Sequence, residues 1–238
     1  MRGIAISAGL LCGVLFSAAA GAASSSDWTG KGTFGGVLAR GNTDTETVNA
    51  VLDVQTVSAP WTHKLGASIL RTVTDDITSA DRWELRGETN YDLTERGYLF
   101  GTARYEDDQF TDYAYQATAA IGCGYHFVAT GTTTLDGRFG IGARRAELRQ
   151  TNNMEADAIL RLAVEYKQQL TGNTSLYDRL LVEAGEINTF TQNALGLEVK
   201  MTQTLSVALS YELRYNSDVL PGTLHADQVF TAGLAAAF

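Results

Sequence analysis

Thr204 to Ser217 reads TLSVALSYELRYNS. Leu205, Val207, Leu209, Tyr211, Leu213 and Tyr215 fall at every second place, with Ser206, Ala208, Ser210, Glu212, Arg214 and Asn216 between them. A period of two belongs to an extended strand whose side chains alternate between two faces. One face is apolar throughout, and the other is polar with both signs of charge. Such runs here are about 11 to 15 residues, against roughly 5–6 in soluble sheets and roughly 9–11 needed to cross a bilayer at a tilt.

The pattern recurs. RWELRGETNYDL (82–93) sets Trp83, Leu85, Gly87, Thr89, Tyr91 and Leu93 against Arg82, Glu84, Arg86, Glu88, Asn90 and Asp92. YAYQATAAIGCGYHF (113–127) sets Tyr113, Tyr115, Ala117, Ala119, Ile121, Cys123, Tyr125 and Phe127 against Gln116, Thr118, Gly122, Gly124 and His126. About twelve such segments can be counted from Trp28 onward, an even number as bacterial barrels have. Their spans are 28–40, 46–57, 61–74, 82–93, 97–107, 113–128, 132–148, 156–170, 174–186, 190–201, 204–216 and 226–238. The ninth is the least regular, with apolar residues on both faces and Asp178 breaking the pattern.

Every second connection is short: SAP, TERG, ATGT, TGN, MTQ. The others read as longer and acidic: RGNTDTE, DDITSAD, DDQFTD, RQTNNME, GEINTF, NSDVLPGTLHAD. Short turns on one side and long loops on the other are the layout of an outer-membrane barrel, with both termini on the short-turn, periplasmic side. Aromatics gather toward the strand ends. Trp28, Trp61, Tyr91, Tyr98, Tyr125, Phe127, Tyr166 and Phe238 are read as the periplasmic girdle. Trp83, Tyr105, Tyr113, Tyr115, Phe190, Tyr215 and Phe230 are read as the outer one, with an aliphatic band between. The competing reading is a soluble periplasmic β-barrel with aromatic strand ends.

Residues 1–22, MRGIAISAGLLCGVLFSAAAGA, place Arg2 before an apolar run and end on Ala20-Gly21-Ala22. This is a secretory signal peptide, too short for a membrane anchor. A lipoprotein signal is disfavoured because Leu11, not a small residue, precedes Cys12. The domain is then 23–238. Cleavage removes Arg2 and no acid, moving the formal charge from −9 to −10, and leaves Cys123 as the single cysteine, so no internal disulfide forms. An acidic chain argues against nucleic acid as a partner. With 24 Gly, 2 Pro and no Ser/Pro-rich linker, the chain reads as one strand-rich domain. Its last segment alternates down to Phe230, Leu234 and Phe238. A barrel in lipid must leave no unpaired edge, so this strand has to close on the first, WTGKGTFGGVLAR. The tail also resembles the C-terminal signature read by the barrel-assembly machinery, which makes Phe238, Leu234 and Phe230 its candidate assembly signal.

GNTDTETVNA, YLFGTARYEDDQFTDYAYQATAAIGCGYHF and YNSDVLPGTLHADQVFTAGLAAAF together resemble the salt-induced outer membrane protein family, also called domain of unknown function 481. The resemblance covers nearly all of the mature chain. It implies outer-membrane location in a Gram-negative bacterium and a tie to salt or envelope stress. It brings no catalytic motif, so no site residue is carried over.

The polar face carries Arg82, Glu84, Arg86, Glu88, Arg104, Glu106, Asp136, Arg138, Arg144, Arg161, Glu165, Lys167, Glu198, Lys200, Glu212 and Arg214. In a barrel these point into the lumen. They line a narrow hydrophilic channel, or they form an interior salt-bridge network that plugs it; the pattern alone fits both. An outer-membrane hydrolase would have to use His63, His126 or His225, the last beside Asp227 and Asp218, yet no G-x-S-x-G or H-E-x-x-H motif is present, and no catalytic residue is assigned. The loop acids Asp44, Glu46, Asp75, Asp76, Asp81, Asp107, Asp108, Asp112, Asp218 and Asp227 lack calcium-loop spacing, and no Cys/His spacing suggests zinc. No cofactor or metal is expected. The expected surroundings are outer-membrane lipid, the barrel-assembly machinery and periplasmic chaperones, for a monomer.

Overall fold

The computed structural model describes residues 28–39, 45–109, 111–219 and 223–238. The segment read as a signal peptide, 1–22 with Cys12, and the loop residue Asp44 lie outside them. Twelve strands follow one another: β1 (Trp28–Ala39), β2 (Thr45–Ser58), β3 (Trp61–Thr74), β4 (Ile77–Asp92), β5 (Gly97–Asp108), β6 (Tyr113–Ala129), β7 (Thr133–Leu148), β8 (Met154–Gln169), β9 (Thr174–Gly185), β10 (Thr189–Lys200), β11 (Leu205–Asn216) and β12 (Ala226–Ala237). Each pairs antiparallel with its neighbours in sequence, and β12 returns to β1 to close an all-β, up-and-down barrel.

Register makes the two faces concrete. Leu209 on β11 stands opposite Leu197 on β10 and Ala232 on β12, all outward. Ser210 stands opposite Gly196 and Thr231, all inward. The outer wall is apolar around its circumference: Leu65, Leu85, Ile121, Ile141, Leu160, Leu195, Leu209 and Leu234 are exposed. So large a continuous apolar surface is untenable in water but is what a lipid environment requires. The interior is the polar part. Glu84, Arg104, Glu106, Arg144, Glu183 and Arg214 are buried there, with few apolar companions such as Leu70, Ile159 and Phe190.

Closure rests on five register pairs, Lys31↔Ala237 to Gly35↔Gly233. Below them Gly30 and Phe238 exchange both backbone hydrogen bonds, at 2.8 and 2.9 Å. The Phe238 ring lies across Gly30, in the space that a Cβ there would need. A Cβ on Gly35 would likewise come within 2.7 Å of the Ala232 carbonyl oxygen. The seam therefore closes where β1 is stripped of side chains.

Two sequence-based expectations change. The connection DDITSAD is not a long loop: β4 begins at Ile77, leaving only Asp75 and Asp76, with φ of 50° and 63°. Positive φ at both positions is what a tight type I′ hairpin turn demands, and Asp tolerates it. Beyond the bilayer both faces meet water, so a polar stretch can continue the ladder, here with a bulge between Thr72 and Val73. The β9–β10 connection is likewise just Glu186–Asn188. The difference between the two rims lies partly in strands that project, not only in loop length.

The girdles also lose three members. Trp28, Trp61, Tyr91, Tyr125, Phe127 and Phe238 are exposed at one rim, and Trp83, Tyr105, Tyr215 and Phe230 at the other. Tyr166 also faces outward, and Tyr115 continues a stack with Tyr105 and Trp83 at centroid spacings of 5.5 and 5.2 Å. Tyr98, Tyr113 and Phe190 are instead buried in the lumen. Tyr98 shares the parity of Arg104, and Phe190 that of Glu198. Tyr113 is turned inward by a bulge between it and Tyr115, which reverses the alternation.

Candidate functional site

The alternation that makes the wall apolar outside sends every second polar side chain into the lumen. There, near the loop rim, charges meet across the barrel. Arg104 on β5 donates to Glu183 on β9 at 2.8 Å, and Arg161 on β8 holds the other Glu183 oxygen. Arg214 on β11 donates to Glu106 on β5, its opposite number in the ring. Arg82 on β4 reaches Glu212 on β11 at 2.7 Å. Arg86 binds Glu84 at 2.9 Å and also Asp53. Phe190 fills the middle: the guanidinium carbons of Arg104 and Arg214 stand 4.6 and 5.0 Å from its ring centroid.

This layer is dry. Glu183 has no exposed surface and Phe190 only 2%. Two buried arginines over one aromatic ring combine cation–π attraction with ion pairing, and each guanidinium is fixed by a carboxylate from another strand. Removing such charges from water is costly unless partners and geometry are complete. Here the partners come from opposite walls, so the charges that would line an open lumen bridge it instead.

Above the layer the short β9–β10 turn is drawn inward. Asp157 accepts the backbone N–H groups of Glu186 and Ile187 at 3.0 and 3.1 Å. Arg144 pairs with Asp157 and donates to the Asn188 carbonyl. Asn188 Oδ1 accepts the N–H groups of Ser217 and Asp218, joining the turn to the last loop. Below the layer, toward the short-turn rim, Arg138 joins Glu88 to Glu165, Lys64 stands 3.5 Å from Glu88, Lys31 pairs with Glu198, and His126 pairs with Asp136.

Register places Arg82, Glu84, Arg86, Glu88, Arg104, Asp136, Arg138, Arg144, Arg161, Glu165, Glu198, Lys200, Glu212 and Arg214 on the inward face. The structure brings most of them into contact; Lys200 stays exposed at the short-turn rim. Sequence reasoning missed Glu183, Asp157, Asp53, Lys31 and Lys64. Glu183 had a signal: counting by twos from Arg179 reaches it. Asp178 obscured this, and it faces outward, accepting from Asn193 at 2.6 Å.

The three histidines stand apart. His63 lies outside, bonded to Thr89 and stacked on Trp61; His225 stacks on Tyr215 and bonds the Asn216 carbonyl. Among the described residues no group of three or more His, Cys, Asp or Glu side chains is placed to hold a metal ion. Of the loop acids, Asp107 and Asp108 stand 3.8 and 3.7 Å from Arg149 and Arg214.

The family described as "Protein of unknown function, DUF481" matches residues 32–238. An Escherichia coli K12 relative, "Uncharacterized protein YdiY", is 23% identical over 184 residues, covering 77% of this chain and 72% of its own. Among solved structures, the NanC porin superposes with a TM-score of 0.53 at 13% identity, covering 87% of this chain and 98% of its own. The COG4313 outer membrane channel from Pseudomonas putida F1 gives 0.52 at 10% identity, covering 88% and 94%. The KdgM porin gives 0.51 at 8%, covering 88% and 99%. These likenesses establish the fold, that of outer-membrane β-barrels.

Proposed function

The chain belongs to the DUF481 family, and from that premise we propose that it is an outer-membrane barrel of a Gram-negative envelope whose narrow hydrophilic lumen is shut at rest. One observation carries this reading: the buried layer of Arg104, Glu106, Glu183, Arg214 and Phe190 that joins opposite walls. Buried pairs are screened far less than exposed ones, so ordinary salt does not dissolve the layer. A shut barrel also suits the salt-stress association that the family resemblance implies, because it adds no leak path when external osmolarity rises. The reading assigns no catalysis, since the histidines lie apart with different partners.

Efflux from proteoliposomes tests it. Wild-type protein should retain a small entrapped sugar. Phe190→Ala, which removes the ring between the two arginines, should release it severalfold faster. Rapid efflux through the wild type would overturn the closed state. Tight retention by a folded Phe190→Ala barrel would favour a permanent plug.

In this reading the surroundings are outer-membrane lipid, periplasmic chaperones and the barrel-assembly machinery, and the barrel is monomeric. Phe238, with Leu234 and Phe230, would serve as the assembly signal, supported by the outward alternation of all three and the fit of the Phe238 ring on Gly30. Deleting Phe238 should slow outer-membrane insertion in cells and leave precursor in the periplasm. Folding into thin vesicles should suffer less, because one interfacial ring is a small part of the buried apolar surface. Tyr or Trp should rescue both, and Asp neither. Heat-modifiable gel migration reports the closed barrel; wild-type insertion by the deletion variant would sink the assignment.

A further inference from the structure

Beneath the ion-pair layer, at the short-turn half of the lumen, lies a cavity of about 190 Å³. A single water needs roughly 10–15 Å³ of such space, so the cavity admits a molecule of several heavy atoms. The residues that line it are polar, charged or aromatic, with side chains from β3, β4, β5, β6, β7 and β8.

The lining is short of cations. Lys64 and Arg138 are its fixed positive groups, and both are engaged by Glu88, Arg138 by Glu165 as well. Among the described residues Asp136 forms an ion pair with His126 alone, and Arg138 adds a longer-range attraction. The Asp92 carboxylate forms no ion pair among the described residues. Asn90, 7% exposed, gives its amide N–H to Glu88, and among the described residues its buried Oδ1 has no hydrogen-bond partner, nor has the buried Nε–H of Arg138. Two aromatic rings complete the cavity. Tyr98 lies against Gly124, which has no side chain to displace it, and its centroid is 4.9 Å from that of His126.

Carboxylates in excess of the fixed cations, beside aromatic rings, attract a positive charge. We propose that this cavity is a binding site for a small organic cation bearing N–H donors, a short primary amine or diamine, with Asp92 and Asp136 as its anionic anchors and Tyr98 as its aromatic wall. This rests on the closed-lumen reading only for the route of entry, which is then from the short-turn rim. Occupancy itself does not depend on whether the layer above can open.

The test is calorimetric titration of the refolded full-length barrel in detergent, with putrescine as the probe and succinate as an anion of the same carbon count. Putrescine should bind saturably and succinate should not. Asp92→Asn with Asp136→Asn should weaken putrescine by about tenfold or more, as expected for losing a hydrogen bond to a charged group. Asp92→Asn alone, at an exposed position, should weaken it in the same direction without touching the His126 pair. Heat-modifiable migration confirms that each variant is folded. No saturable putrescine binding, equal binding of succinate, or wild-type affinity in folded variants would overturn the site. None of these outcomes bears on efflux through Phe190→Ala, so the two proposals fail separately.

Discussion

Glu183→Gln is expected to destabilise the barrel by about 3–5 kcal/mol, the cost of removing one partner from a buried ion pair. The side chain has no exposed surface, and its two oxygens hold Arg104 and Arg161. Glutamine keeps the shape but not the charge. Arg104 still has Glu106 at 3.5 Å and Glu84 at 3.7 Å, whereas Arg161 loses its ion-pair partner. The penalty therefore falls mainly on Arg161, and this gives the control. Adding Arg161→Met to Glu183→Gln removes the stranded charge, and a buried pair replaced by neutral groups of similar volume is often close to neutral. The double variant should recover most of the loss in a urea titration monitored by heat-modifiable migration. A single variant within about 1 kcal/mol of wild type, the size of an ordinary net hydrogen bond, would mean that the layer is hydrated and the lumen open to water.

Leu209→Arg should cost about 2–4 kcal/mol in a bilayer folding titration, the penalty for a cation near the midplane of a barrel's lipid face. Leu209 sits mid-strand on β11 and faces outward between Leu197 and Ala232. The adjacent Ser210→Arg points into the lumen and should cost well below that, because the substituent can reach water or the polar interior. In detergent micelles the two variants should converge, since a micelle deforms around a charge more readily than a bilayer. Equal penalties in the bilayer would reverse or abolish the assignment of faces.

Alternation is a local property, and where it is regular the sequence could be read directly. The strand from Leu205 to Asn216 declares both faces, and the sixteen inward charges follow from parity. What parity cannot show is which charges meet. The partnership of Arg214 with Glu106 joins residues 108 positions apart, and it exists because the closed ring brings β5 opposite β11. Bulges defeat parity for a different reason: one extra residue before Tyr115 turns Tyr113 inward, and nothing in YAY marks the place. Phe190 reads as a girdle residue because an aromatic at a strand end is ambiguous. It joins a girdle if it faces lipid and a plug if it faces arginines, and its parity with Glu198 decides. DDITSAD reads as a loop because it is polar, whereas a strand above the bilayer has no need of an apolar face.

The closed lumen is tested most directly by single-channel recording of the refolded wild-type protein in a planar bilayer at neutral pH and moderate salt. With Arg104, Arg214 and Phe190 stacked across the lumen, the account predicts insertions that give no steady open level, while Phe190→Ala gives discrete, small ohmic steps. A stable ohmic level from the wild type on each insertion, unchanged by Phe190→Ala, would contradict it.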